Sequence, residues 1–430
     1  MGSIETTKSR LPILTALFVI GVTTGYLLMI SPAPLLSYIS DEYGLFGNDA
    51  LQNLPMAIIF PVFIICAAIG TWIEQRVGTV KLFIIGVSFL AASGIVLLLI
   101  SSYAVFLLTR ILFAIGFGLL IPFAGSAIMR WYNPKQREVM NTINGIFPWV
   151  GAFVAFILLA PMTEAFGGAW RTAISFWGFA ALAILILWVI FINGKKINVY
   201  EEQHFGEVET LEKGIYRNLW KRKQIKLLCG VFVCDFFFYA YISALLPLFL
   251  MRAGDLTEVE AGILAAFAFP AVGIVGTILG GLIASKSGLR RPVIMTGQLM
   301  KVAGVVIMVF TIDFSIAVAM IGVVLFTLGN SSYLPPFYMV PMELEDMNPS
   351  RTAGALSMMM SAGFVAGTVS PVLGGWLTNV LSGMSGIVDP IPAHVFGLKW
   401  SFFIFGFINL IAFYFAWRLK ETGPKGRIEG

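Results

Sequence analysis

The chain has 430 residues, 58% of them hydrophobic and only 12% charged, with a formal net charge of +5. A soluble domain carries about 25% charged residues, so this composition excludes a water-soluble enzyme or binding module. The positive balance does not call for nucleic acid, because the cytoplasmic loops of membrane proteins collect Lys and Arg.

A short polar, basic start (Met1 to Arg10) leads into a long apolar stretch, which reads as a retained first helix rather than a cleaved signal peptide. Twelve apolar segments then follow, at 11–38, 50–73, 80–100, 104–130, 138–162, 170–193, 225–250, 258–284, 291–311, 315–342, 351–380 and 397–418. Each is long enough for a helix to cross a hydrocarbon core of about 30 Å. Helix is the expected form, since an open sheet leaves backbone groups unsatisfied in lipid. The expectation is an all-α, multi-pass protein of the inner or plasma membrane, monomeric, with the lipid bilayer as its first partner.

Basic residues set the expected orientation. With both termini in the cytoplasm, all but five of the 28 Lys and Arg fall on the cytoplasmic side. The exceptions are Arg171, Arg252 and Lys399 on the opposite side, and Arg110 and Lys301 inside segments. This N-in, C-in topology follows the positive-inside rule. The largest polar stretch, 194–224, is expected to link two six-helix bundles at 1–193 and 225–430.

The halves look duplicated. Gly70, Arg76, Gly78 and Lys81 after segment 2 align with Gly280, Lys286, Gly288 and Arg291 after segment 8. Segment 4 carries Leu112-Phe113, Gly116 and Pro122, and segment 10 carries Leu325-Phe326, Gly329 and Pro335. Internal repeats of this kind mark transporter folds that alternate access around a midplane site. The three cysteines, Cys66, Cys229 and Cys234, lack metal-ligand spacing, so no metal or other cofactor is expected. His204 and His394 are expected in loops, offering no intramembrane relay.

The run Gly281-Leu-Ile-Ala-Ser285-Lys286-Ser-Gly288-Leu-Arg290-Arg291 resembles the loop signature of the major facilitator superfamily, with Ser285 in place of its Asp. The first-half copy has Glu74, Gln75 and Arg76 at the matching place. Arg110 with Gly116 and Gly118 is similar to the family's fourth-helix pattern, and Gly168-Ala-Trp170-Arg171 to its entry into helix 6. The resemblance implies a two-bundle fold whose helices 1, 4, 7 and 10 line the cavity. It also implies a charge clamp formed by Glu74, Arg76, Lys286, Arg290 and Arg291. The glycine–proline bend of drug/proton antiporters is missing from segment 5, where Pro148-Trp149 stands.

Charges inside a bilayer cost several kcal/mol and mark functional candidates. Arg110 offers a planar donor fork to an anionic substrate; the alternative is a cap on a neighbouring helix. Asp235, set among aromatic residues, suits a proton-coupling carboxyl; the alternative is a permanent pair with Lys301, which lies at a similar depth of about 15 Å. Asn330, Tyr333 and the double proline Pro335-Pro336 form a polar, kinked patch near the midplane. Tyr26, Trp149 and Tyr239 are further candidate substrate contacts. The expected function is proton-coupled symport of a small organic or inorganic anion by alternating access. The runner-up is proton-driven efflux of lipophilic compounds. An enzyme is not expected, since no nucleophile–base pair or metal cluster stands at membrane depth; a membrane sensor would usually carry a long soluble extension.

Overall fold

In lipid, a backbone finds its hydrogen-bond partners most simply along its own axis, and the computed structural model of the chain follows that rule. It describes residues 2–99, 101–132, 134–192, 197, 214–347 and 349–425, and among them the regular structure is helical without a strand. Among the described residues, twelve helices are long and apolar enough to cross a membrane. In chain order the spans are Pro12–Ile30, Asp49–Cys66, Thr79–Leu99, Tyr103–Ile121, Ile143–Ala165, Trp170–Phe191, Lys223–Gly254, Glu258–Ser287, Arg291–Thr311, Ile316–Glu343, Arg351–Met384 and Pro390–Trp417.

These match the expected segments, with differences that have local causes. The first span stops at Ile30 instead of running to residue 38. Pro32 and Pro34 lack the N–H that a continuing helix needs, so the chain makes a 3-10 turn, Ala33–Leu35, and a separate short helix, Leu36–Tyr43. The twelfth span begins at Pro390 rather than 397. Asp389 caps it by accepting from the Ile391 N–H at 3.1 Å, and proline at the first helical positions sacrifices no bond. His394 therefore lies inside a helix and is buried, which corrects its placement in a loop. His204 lies outside the described residues.

Two spans are interrupted. The eighth opens with a capping box, Thr257 with Glu260, and passes through a π-turn, Phe267–Ala271, that holds Pro270. The tenth divides at Tyr333 into Ile316–Ser332 and Leu334–Glu343.

The chain divides into two compact units. One holds Met1–Tyr43 and Ile58–Val208; the other holds Gly44–Ala57 and Glu209–Gly430. Residues 44–57 thus join the second unit although the chain on both sides of them belongs to the first. Of the expected 194–224 linker, all but residues 197 and 214–224 lie outside the described residues. Its last part forms the helix Ile215–Lys221, whose buried Ile215 and Leu219 pack against Gly354 of the eleventh span.

Apolar side chains gain little by leaving lipid for one another, so helices here associate through close packing. In the second unit the ninth and tenth spans touch backbone to backbone. A Cβ on Gly304 would lie 2.4 Å from the Phe326 nitrogen, and one on Gly322 2.5 Å from that of Met308. Only glycine fits at either place. In the first unit Gly94 and Gly178 bring the third and sixth spans together in the same way.

Candidate functional site

The close approach of the ninth and tenth spans continues to Gly297 and Gly329, where a Cβ on Gly329 would meet the Lys301 backbone nitrogen at 3.0 Å. Lys301 is thereby held against the tenth span, and Tyr333, one turn beyond Gly329, lies beside it. The Lys301 ammonium sits 4.7 Å from the Tyr333 ring centroid. It donates to the Asp235 carboxylate of the seventh span. The two side chains are 1% and 4% exposed, so the pair is sealed from both lipid and water. Desolvating two ions costs several kcal/mol each, which only their mutual attraction and further hydrogen bonds offset. Such a pair is stable while both charges persist, and a proton delivered to the carboxylate removes one of them.

Polar capacity remains open next to the pair. Gln298, one helical turn before Lys301 and therefore on the same face, is fully buried, and neither its Oε1 nor its Nε2 has a hydrogen-bond partner. Asn330 is 2% exposed and its Oδ1 is also unpartnered. Native interiors leave few such groups. Gln298 was not singled out in the sequence; its spacing from Lys301 was the available signal.

Tyr239, four residues after Asp235, is half-buried in an aromatic row. Its ring lies 5.6 Å from Phe236 and 5.9 Å from Phe269, and Phe236 lies 5.6 Å from Phe364. Pro335 stands at the start of the helix Leu334–Glu343 and Pro336 is buried within it. The helix breaks before the prolines, at Tyr333, and that break leaves Asn330 and Tyr333 at the end of the preceding helix.

The other candidates lie in the first unit. Arg110 is buried; its Nη1 donates to the Leu28 carbonyl at 2.8 Å and its Nη2 to that of Met29 at 2.7 Å. These carbonyls belong to the last turn of the first span, where no further helical N–H reaches them. Arg110 thus caps that helix, and its Cζ lies 4.8 Å from the Phe113 ring. Tyr26 is half-buried, edge-on to Phe117 at 4.8 Å, and Trp149 is buried. Gly151, two residues after Trp149, lets the fifth span approach within 2.6 Å (from a Cβ) of the Tyr26 Cβ. Arg110 and Asp235 belong to different units.

The loop residues divide sharply. Arg290 is buried and bonds bidentately to Glu343, with Nη2–Oε1 at 2.8 Å and Nε–Oε2 at 3.2 Å. Its Nη1 donates to the Ala284 carbonyl, closing the loop. Thr422 also donates to Glu343, and Glu421 accepts from the backbone N–H groups of Arg290 and Arg291. The acids bonded to this loop are Glu343 and Glu421, which the sequence reading missed. Lys420 bonds the neighbouring Glu345 at 3.0 Å and holds that carboxyl below its usual range. Lys286 is exposed and Arg291 half-buried. In the first-half copy Glu74 is buried and Arg76 exposed. The three cysteines are buried and free, and no group of three metal-binding side chains occurs among the described residues.

A model of the Major Facilitator Superfamily matches residues 13–347. The chain belongs to that superfamily. It is a multi-pass membrane transporter with twelve spans. Among its curated relatives is an uncharacterised protein of Campylobacter jejuni, 27% identical over 164 residues; the match spans 37% of this chain and half the length of that one. The chloramphenicol resistance protein CraA of Acinetobacter baumannii is 26% identical over 382 residues, covering 85% of this chain and 86% of CraA. Among solved structures, a bacterial homologue of the human lysosomal transporter Spinster, inward-facing and unoccupied, superimposes with a TM-score of 0.79 at 17% identity, covering 96% of each chain. That likeness extends the superfamily fold through the described length of the chain.

Proposed function

We propose that this superfamily member is a proton-coupled secondary transporter in which the Asp235–Lys301 pair is the coupling switch. The sealed ion pair supports this reading. Neutralising Asp235 strands the Lys301 charge in a low-dielectric interior, so each protonation event changes which packing of the seventh, ninth and tenth spans is favoured. That is the differential energy that an alternating-access cycle requires. Both termini are placed in the cytoplasm in this proposal.

The two cargo classes part at Arg110. An anion bound there must displace the Leu28 and Met29 carbonyls from the guanidinium. A lipophilic compound needs no such exchange and finds aromatic rings at Phe236, Tyr239 and Phe364. The resemblance to CraA over most of the chain favours the same class. We therefore rank a weakly polar, aromatic-compatible organic compound above a small anion.

Proteoliposomes enclosing a pH-sensitive dye test both points. Chloramphenicol is expected to move protons, and a panel of monovalent organic anions is not. Asp235→Asn paired with Lys301→Met is expected to abolish that proton movement while leaving substrate counterflow in place. Proton movement that survives in this double variant overturns the switch. Anion-driven proton movement lost in Arg110→Ala reverses the ranking of cargo.

A further inference from the structure

Residues 214–234 include five basic side chains and no acid. The segment begins with the helix Ile215–Lys221, in which Ile215 and Leu219 stand four residues apart and so share a face. Both join an apolar core with Leu228, Phe232 and Met359. A Cβ on Gly354 of the eleventh span would lie 3.1 Å from Leu219 and 3.5 Å from Ile215. One face of the helix is thereby fixed to the second unit. The backbone turns extended at Arg222 (φ −76°, ψ 122°), and the seventh span begins at Lys223. Arg222 holds this corner by donating to the Glu345 carbonyl at 2.8 Å.

The outward face is aromatic and basic. Tyr216 and Trp220, again four residues apart, are 46% and 52% exposed. Arg217, Lys221, Lys223 and Lys226 are exposed around them, and Lys226 Nζ lies 5.9 Å from the Trp220 ring centroid. Among the described residues no acid pairs with any of these four. The twelfth span sets the level of this face in the membrane. The Lys420 N–H donates to Gln224 Oε1 at 3.0 Å, and the Phe415 ring lies 2.8 Å from where a Cβ on Gly230 would stand. The end of the twelfth span is therefore beside the start of the seventh. Tyr414 and Trp417 are exposed there, and Arg418 Cζ lies 5.3 and 5.9 Å from their rings. Tyr and Trp collect where acyl chains give way to headgroups, which sets the helix Ile215–Lys221 at headgroup level.

We propose that this face binds anionic phospholipids at the mouth of the seventh span. Arg217, Lys221, Lys223 and Lys226 hold the phosphates, and the Tyr216 and Trp220 rings seat between the headgroups and the upper acyl chains. Basic clusters directly beside a span are drawn to an anionic lipid surface. A zwitterionic headgroup carries its own cation and cancels most of that attraction. The rings add what charge alone does not, since an indole at this level buries its apolar body while its N–H stays within reach of polar groups. The five Glu between residues 201 and 212 are the rival occupant. Because the helix is locked to Gly354 and leads into the seventh span, bound lipid ties this end of the seventh and eleventh spans to the membrane surface. The lipid site rests on the membrane-spanning fold and is independent of the Asp235–Lys301 switch.

The test uses the full-length protein with Cys66, Cys229 and Cys234 replaced by Ala and a coumarin maleimide on Asn218→Cys. It is reconstituted in phosphatidylcholine vesicles doped with phosphatidylglycerol or phosphatidylcholine that bears a nitroxide high on one acyl chain. Quenching by the phosphatidylglycerol probe is expected to be at least about threefold stronger. A label at the exposed Val388→Cys is expected to see both probes equally. Arg217→Gln, Lys221→Gln, Lys223→Gln and Lys226→Gln together are expected to bring the ratio at Asn218→Cys to about one. Trp220→Ala is expected to weaken quenching by both probes. Replacing the five Glu by Gln, or adding inorganic phosphate at the ionic strength of a chloride control, is expected to leave the ratio unchanged. Equal quenching in the parent, no quenching by either probe, or a ratio that persists without the four cations overturns the proposal. So does a ratio that emerges only without the five Glu, which makes the chain's own acidic stretch the occupant. Loss of the ratio in phosphate but not in chloride overturns it in favour of a site for free phosphate.

Discussion

Removing one partner of a buried ion pair leaves the other charge in the interior without compensation, at a cost of about 3–5 kcal/mol. Lys301→Met is therefore expected to lower the thermal unfolding midpoint of the detergent-solubilised protein sharply. Asp235→Leu with Lys301→Met, which removes both charges, is expected to recover most of the loss. Equal destabilisation in the single and double variants would show that packing, not charge, holds the site. The two residues were legible in sequence because a charge among apolar neighbours is rare and costly. Their pairing was one of two open readings, since depth along a helix does not say which way a side chain faces. Arg110 shows the same limit: its burial was foreseeable, but its two acceptors are backbone carbonyls of Leu28 and Met29, which carry no sequence signal. Glu343 and Glu421 escaped notice because an acid at a helix end usually faces water.

Helices were read more securely than their ends. Apolar length located all twelve spans, while the first and last departed where proline or a capping aspartate decided the boundary. Asp389-Pro390 is the instructive case, because the cap signal was present in sequence and outweighed the weaker hydropathy of residues 390–396. Missing it put His394 in a loop. Contacts between helices were less legible still, since a glycine in a span is compatible with either a close approach or a lipid face. The structure assigns Gly304 and Gly322 to a close approach. Gly304→Val would drive side-chain carbon into the Phe326 backbone, 2.4 Å from where its Cβ must stand. Overpacking of this kind typically costs about 1–3 kcal/mol, and here the obstacle is main chain rather than a movable side chain. A fall in unfolding midpoint is expected for Gly304→Val and no change for Gly383→Ala, whose Cβ position is open. Equal behaviour of the two variants contradicts the close crossing.

At the scale of the molecule, the distribution of charge carries a prediction that the fold alone does not make. The junction of the eighth and ninth spans carries Lys286, Arg290 and Arg291, and the last span is followed by Arg418, Lys420 and Lys425. Moving such clusters across a bilayer is opposed by the same asymmetry that orients membrane proteins during insertion. The turn between the eleventh and twelfth spans holds no Lys or Arg, and its Val388 is 97% exposed. These two loops lie at opposite ends of spans: one closes the eighth, an even-numbered span, and the other closes the eleventh, an odd-numbered one. They must face opposite sides of the membrane if every span crosses. With both termini cytoplasmic, a cysteine at Val388 is expected to react with an impermeant maleimide in intact cells, and one at the exposed Lys286 only after permeabilisation. The reverse pattern inverts the orientation, and labelling of both from one side breaks the twelve-span count. Reversing the charge of Lys286, Arg290 and Arg291 together is a poor test, because Arg290 is committed to Glu343 and its loss unfolds the loop it closes. Labelling at the two single sites leaves that cluster's buried member untouched and reads topology alone.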